Sequence, residues 1–82
     1  MYSIKWEMRA LKEVENLERS IAIRIFNKLE TLKENPSATD VKKLKGQEMY
    51  RMRVGDYRII FSIVGKDIII WKVSHRKNVY EQ

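Results

Sequence analysis

Apolar residues change their spacing twice along this chain. At the start they alternate, Tyr2, Ile4 and Trp6 against Ser3 and Lys5, which is the period of a half-buried strand. From residue 7 to about 18 they recur at three- and four-residue steps, Met8, Leu11, Val14 and then Leu17, which predicts a helix. A break near Glu18–Ser20 follows, with Ser20 as candidate N-cap, although no Glu or Gln stands three residues later to complete a capping box. A second helix then runs to about Glu34 on the stripe Ile21, Ile25, Leu29 and Leu32, widened by Ala22 and Phe26. It ends at Asn35-Pro36, because proline disfavours helix at the residue before it. Neither helix is long enough to stand alone, so the hairpin needs a surface to pack on.

The second half supplies that surface. Pro36 to Gly46 reads as a polar connection holding Lys42, Lys43 and Lys45. Three strands follow, at about 48–54, 57–64 and 68–75, joined by connections short enough to force antiparallel neighbours. Tyr50, Met52, Val54, Tyr57, Ile59, Phe61 and Ile63 share one face, the seat for the helices. In the last strand both parities are apolar. Placing Ile69, Trp71 and Val73 inward leaves Lys72 in solvent and Arg76 on the opposite face near Arg58; a two-residue loop before the strand would reverse this. Trp6 and Trp71 read as core. The chain reads as one domain over residues 1–82, with no internal repeat.

The other face of the second and third strands is the informative one. In Tyr50-Arg51-Met52-Arg53-Val54 every second residue is arginine. A two-residue turn at Gly55-Asp56 puts Val54 opposite Tyr57, Arg53 opposite Arg58 and Arg51 opposite Ile60. Three guanidiniums then share one sheet face. Cations held so close repel one another, so stability does not account for them. An anionic ligand, most simply a phosphate backbone, does.

Charge sharpens this reading. The net charge is +6, but residues 1–34 hold seven basic and six acidic side chains, whereas residues 35–82 hold ten and five. The arginine-bearing half is the electropositive half, which points to nucleic acid or an acidic protein partner. The absence of cysteine excludes disulfides, a thiolate nucleophile and a Cys-based zinc site; the single histidine, His75, excludes a multi-histidine metal cluster. No signal peptide is apparent, and no apolar run approaches a membrane span, so a cytoplasmic protein without membrane contact is expected.

The order and spacing of these segments resemble the RelE/ParE superfamily of small bacterial and archaeal toxins, the RelE branch most closely. The resemblance covers essentially the whole chain. It rests on the strand and helix-hairpin opening with Ala10-Leu11-Lys12, on Lys43-Leu44-Lys45-Gly46, and on Tyr50-Arg51-Met52-Arg53. Gly55-Asp56-Tyr57-Arg58-Ile59-Ile60-Phe61 and His75-Arg76-Lys77-Asn78-Val79-Tyr80 complete it. It implies an α+β domain with an N-terminal strand and a helical hairpin packed on a twisted antiparallel β-sheet. It also implies an mRNA interferase that cuts mRNA in the ribosomal A site, inhibited by a cognate acidic, RelB-like antitoxin through which operator DNA can be bound. The reaction implied needs no metal or cofactor: the ribose 2′-hydroxyl attacks the neighbouring phosphate, leaving a 2′,3′-cyclic phosphate and a 5′-hydroxyl. Position by position, Arg51 and Arg53 stand where the best-known RelE members carry a lysine pair. Arg58 stands at an arginine that contacts the scissile phosphate, Arg76 at a second functional arginine, and Tyr80 at a tyrosine that stacks on or orients the substrate. Lys43 and Lys45 are candidate RNA contacts.

The chemistry of the residues agrees, with one gap. Guanidiniums held in place suit the charge that builds on a phosphoryl-transfer transition state, and a tyrosine beside them can stack on a base. Arginine, however, stays protonated, so Arg51 and Arg53 are poor general bases. His75 and Glu48 are the remaining titratable candidates, and a histidine at a strand end more often packs or caps than catalyses. Plainer roles compete at each position: a solvated strand face for Arg51 and Arg53, an ion pair to Asp56 or Glu48 for Arg58, surface charge for Arg76, core packing for Tyr80. Two further readings stay open at this point, a ParE-like toxin that binds gyrase without nuclease chemistry and a degenerate member that only binds its antitoxin.

Overall fold

In a computed structural model, which describes residues 1–36, 41–44 and 48–78, the chain runs β1 (Ser3–Trp6), α1 (Met8–Glu15), α2 (Arg19–Glu34), β2 (Val41–Lys43), β3 (Met49–Val54), β4 (Tyr57–Val64) and β5 (Asp67–His75), then a 3-10 turn at Arg76–Asn78. The sheet order is β1-β5-β4-β3-β2. β2 to β5 are antiparallel neighbours, and β1 lies parallel to β5, so this α+β fold has a mixed five-stranded sheet.

The helices cover one face. Ala10 and Val14 of α1 and Ile25, Leu29 and Leu32 of α2 meet Met52, Val54, Ile59, Phe61, Ile68, Ile70 and Val73 of the sheet, all buried. Burying each larger side chain contributes roughly 1.5–3 kcal/mol. Tyr50 stacks on its cross-strand partner Phe61 with ring centroids 5.5 Å apart, and Trp6, half-buried, meets Phe26 edge-on. Met8 departs from the helical stripe expected of it: it is the first residue of α1, where it faces solvent.

Several local expectations are corrected. Helix α1 ends at Glu15, not near residue 18. Ser20 is the second residue of α2 rather than its cap; Glu18, extended at ψ 145°, holds the N-cap position with no side-chain hydrogen bond, its carbonyl accepting from the N–H groups of Ile21 and Ala22. Within the polar connection, Val41–Lys43 form an edge strand on β3. Three residues with one half-buried apolar side chain give too little alternation to be read as a strand.

The largest correction concerns β5. Val64 pairs with Asp67, so the loop is the two-residue Gly65-Lys66, with Gly65 at φ +62°. This register turns Ile68 and Ile70 inward and leaves Ile69 on the opposite face. Phe61 then pairs with Ile70 but Ile60 with Lys72, so Trp71 is the extra residue of a β-bulge. The bulge restores the parity expected for Val73, and it turns Trp71 out of the core to 40% exposure. Beyond Ile70 the edge of β5 has left β1 behind, and α1 covers it: the Val73 N–H donates to Glu13 Oε1 at 2.7 Å, while Glu13 Oε2 holds Arg9 Nε at 3.2 Å.

Candidate active site

The first hairpin has the expected register. Val54 pairs with Tyr57, Arg53 with Arg58 and Arg51 with Ile60 across Gly55-Asp56. Gly55 has φ +60° and Asp56 does not enter the left-handed region, as in a two-residue turn with glycine first. The Arg24 side chain of α2 reaches the turn, and a Cβ on Gly55 would lie 3.2 Å from its guanidinium.

Directly opposite residues of antiparallel strands point to the same face. Arg51, Arg53 and Arg58 therefore share the face turned away from the helices. Burial and the nearby Arg58 and Arg53 charges all push the Arg51 guanidinium below its ordinary pKa. Burial is the larger cause, and the two neighbouring guanidiniums act in the same direction. Among the described residues none of the three forms an ion pair, and Glu48, a candidate partner for Arg58, instead lies 3.6 Å from Lys43 Nζ.

Arg76 joins from the far end of β5. Its N–H donates to the Asp56 carbonyl at 2.7 Å, tying the 3-10 turn to the hairpin tip. A cleft of about 190 Å³ is lined by Arg53, Arg58 and Arg76 together with the turn residues Gly55, Asp56 and Tyr57.

Two further cations on this face, Lys42 and Lys72, were not among the site residues expected from the sequence. Lys42 pairs with Arg51 across β2–β3, and Lys72 pairs with Ile60 across β4–β5, so one row across the sheet reads Lys42, Arg51, Ile60, Lys72. Lys72 arrives through the bulge and is half-buried. Beside it lies a groove of about 610 Å³ floored by Ile60, Trp71, Met49 and Leu44, with Arg51, Arg58 and Lys72 along it.

Other candidates are placed elsewhere. Lys43 pairs with Tyr50, on the parity of the helix-bearing face. His75 pairs with Tyr57, also on that parity, and packs edge-on against its ring at 5.2 Å. Its Nδ1 accepts from the Lys77 N–H at 3.2 Å. Lys45 and Tyr80 lie outside the described residues. Among the described residues no three His, Cys, Asp or Glu side chains converge as metal ligands, and no helix is long and apolar enough to cross a membrane.

A two-helix, five-strand α+β domain with a cation cluster on the sheet face turned away from the helices defines a class, and comparison gives the family. Residues 4–80 match the family described as the ParE toxin of the type II toxin-antitoxin system. The chain is 35% identical over 86 residues to RelE1 of Methanocaldococcus jannaschii, covering 98% of this chain and 96% of that protein. Its fold superposes on the archaeal RelE–RelB complex from Pyrococcus horikoshii at a TM-score of 0.83, with 30% identity and coverage of 95% and 98%. The isolated Escherichia coli RelE toxin superposes at 0.81, with 25% identity and coverage of 99% and 93%. The chain belongs to the RelE/ParE superfamily of toxins of type II toxin–antitoxin systems.

Proposed function

We propose that the chain is a ribosome-dependent endoribonuclease that cleaves mRNA in the A site and so stops translation. The observation that carries this reading is the grouping of Arg51, Arg53 and Arg58 on the sheet face turned away from the helices, with no carboxylate paired to them among the described residues. The 2′-oxygen attacks the adjacent phosphorus, the bond to the 5′-oxygen breaks, and the cyclic phosphate remains. The proton lost from the 2′-hydroxyl is balanced by one gained at the leaving oxygen, so the step needs no oxidant and no cofactor. Arg58 and Arg53 bind the phosphorane oxygens, and Arg51, Arg76, Lys72 and Lys42 hold the flanking phosphates. Guanidiniums fixed before the reaction stabilise the developing charge without reorganising. Tyr80 stacks on the substrate. With both family lysine positions occupied by arginine, the 2′-hydroxyl proton passes to water or to the ribosome.

The partner that restrains this activity is an acidic antitoxin; the structural relatives include RelE–RelB antitoxin–toxin complexes. It covers the arginine face or displaces the tail, and operator DNA is bound through it. The site of action, and of the protein, is the cytoplasm. A second reading is favoured by the ParE name of the matching family: binding to gyrase with no nuclease chemistry. Incubation with programmed ribosomes and mapping of mRNA 5′ ends separates the two. Discrete new ends within the A-site codon support the nuclease, and intact mRNA rejects it.

A further inference from the structure

The groove beside the arginines is not built for phosphate alone. Four apolar side chains, Leu44, Met49, Ile60 and Trp71, line it next to Arg51, Arg58 and Lys72, with Arg9 and one carboxylate, Glu7, also on its wall. An indole left 40% exposed on a strongly cationic face keeps a large part of its apolar surface in water. Nor is it loosely placed. The bulge aims it outward, and Trp71 Nε1–H donates to Ser62 Oγ at 2.8 Å, with Ser62 itself only 8% exposed. That hydrogen bond satisfies the one polar atom of the indole and fixes the ring, so the ring presents hydrocarbon and π-surface to the groove. At about 610 Å³ the groove lies in the size range of small-molecule sites.

We propose that this groove is a nucleobase subsite, in which a base of single-stranded RNA stacks on Trp71 while its phosphates lie on Arg51, Arg58 and Lys72. An apolar platform with four cations and one carboxylate on its walls is the arrangement that single-stranded nucleic acid fits: the base needs a π-face and the backbone needs net positive charge. Lipid would demand a wider apolar surface, and a free phosphate would leave the indole without purpose. The proposal rests on the nucleic-acid reading of the arginine face, but it does not require cleavage. It assigns Trp71 to binding, beside the reacting phosphate rather than at it.

The test uses the full chain carrying Trp6→Phe, so that Trp71 is the sole indole. Two hexanucleotide probes with equal numbers of phosphates are titrated at low salt, one 2′-O-methylated and base-bearing, the other abasic. The base-bearing probe should quench the Trp71 fluorescence and bind about 5- to 150-fold more tightly than the abasic one, the range expected for one stacked base. Trp71→Ala should remove the share of that difference carried by the Trp71 stack, about 5- to 150-fold, and Trp71→Phe should keep most of it. Equal affinity for the two probes, or quenching by neither, overturns the subsite without any appeal to the variants' folding. Ribosomal cleavage is read separately. A chain that discriminates the probes but never cuts mRNA keeps the subsite and rejects the nuclease. One that cuts mRNA but binds both probes alike does the reverse.

Discussion

Arg53 and Arg58 face each other directly across the hairpin closed by Gly55-Asp56, two guanidinium-bearing residues in one cross-strand pair. Like charges in that position destabilise a sheet. The pair therefore costs stability in the free protein and is relieved when an anion arrives, which is the behaviour of a binding site rather than of a scaffold.

Removing one member should stabilise the fold. Arg53→Thr is expected to raise stability by about 0.2–1 kcal/mol, toward the low end because Arg53 is exposed and water screens it. The gain should shrink as salt is added, whereas a gain from threonine's strand preference would not. Thermal melts at low and high ionic strength check this, and a destabilised or salt-indifferent variant contradicts it.

Glu13 is expected to matter more than its place on a short helix suggests. It caps the Val73 N–H where β1 no longer covers the edge of β5. Glu13→Ala should cost about 1–2 kcal/mol by leaving that donor without its partner, while Glu13→Gln should retain most of the stability. Denaturant titration of the two variants reads the difference.

The first hairpin was legible because its turn and its alternation agree: glycine first in a two-residue loop, with arginine at every second position before it. That agreement fixed three residue pairs and, with them, the centre of the candidate site. The last strand was not legible. Ile68, Ile69, Ile70 and Trp71 are apolar on both parities, so periodicity carries no register, and a bulge leaves no mark in such a run. The error placed Trp71 in the core, where the structure turns it out beside Arg51 and Arg58; Lys72 lies on the face expected of it. The Gly65-Lys66 dipeptide was the available signal, since glycine at the first position favours a two-residue turn. Lys42 was missed with the three-residue strand that carries it.

His75 is expected to contribute little to catalysis. Its ring packs against Tyr57 on the helix-bearing parity, and its Nδ1 is engaged by the Lys77 N–H. His75→Ala should lower single-turnover cleavage on the ribosome by less than about 10-fold, below an acid–base contribution. A limb of the pH–rate profile that vanishes in this variant would instead make His75 the proton acceptor.

Arg53→Lys should preserve cleavage or raise it. Lysine keeps the positive charge, and among neighbouring cations it can lose its proton and serve as a base, which arginine cannot. A loss of rate beyond about 100-fold, the scale of one missing preorganised donor, would show that the forked geometry of the guanidinium is indispensable at this position.

The central claim, that the arginine face performs phosphoryl transfer on mRNA, is tested most directly by mapping mRNA 5′ ends on programmed ribosomes with the wild-type chain and Arg58→Ala side by side. The wild type should produce discrete ends bearing a 5′-hydroxyl within the A-site codon. Arg58→Ala, folded by its melting curve, should produce them on the order of 100- to 1000-fold more slowly. Intact mRNA with the wild type, or near wild-type cleavage by Arg58→Ala, would contradict the account.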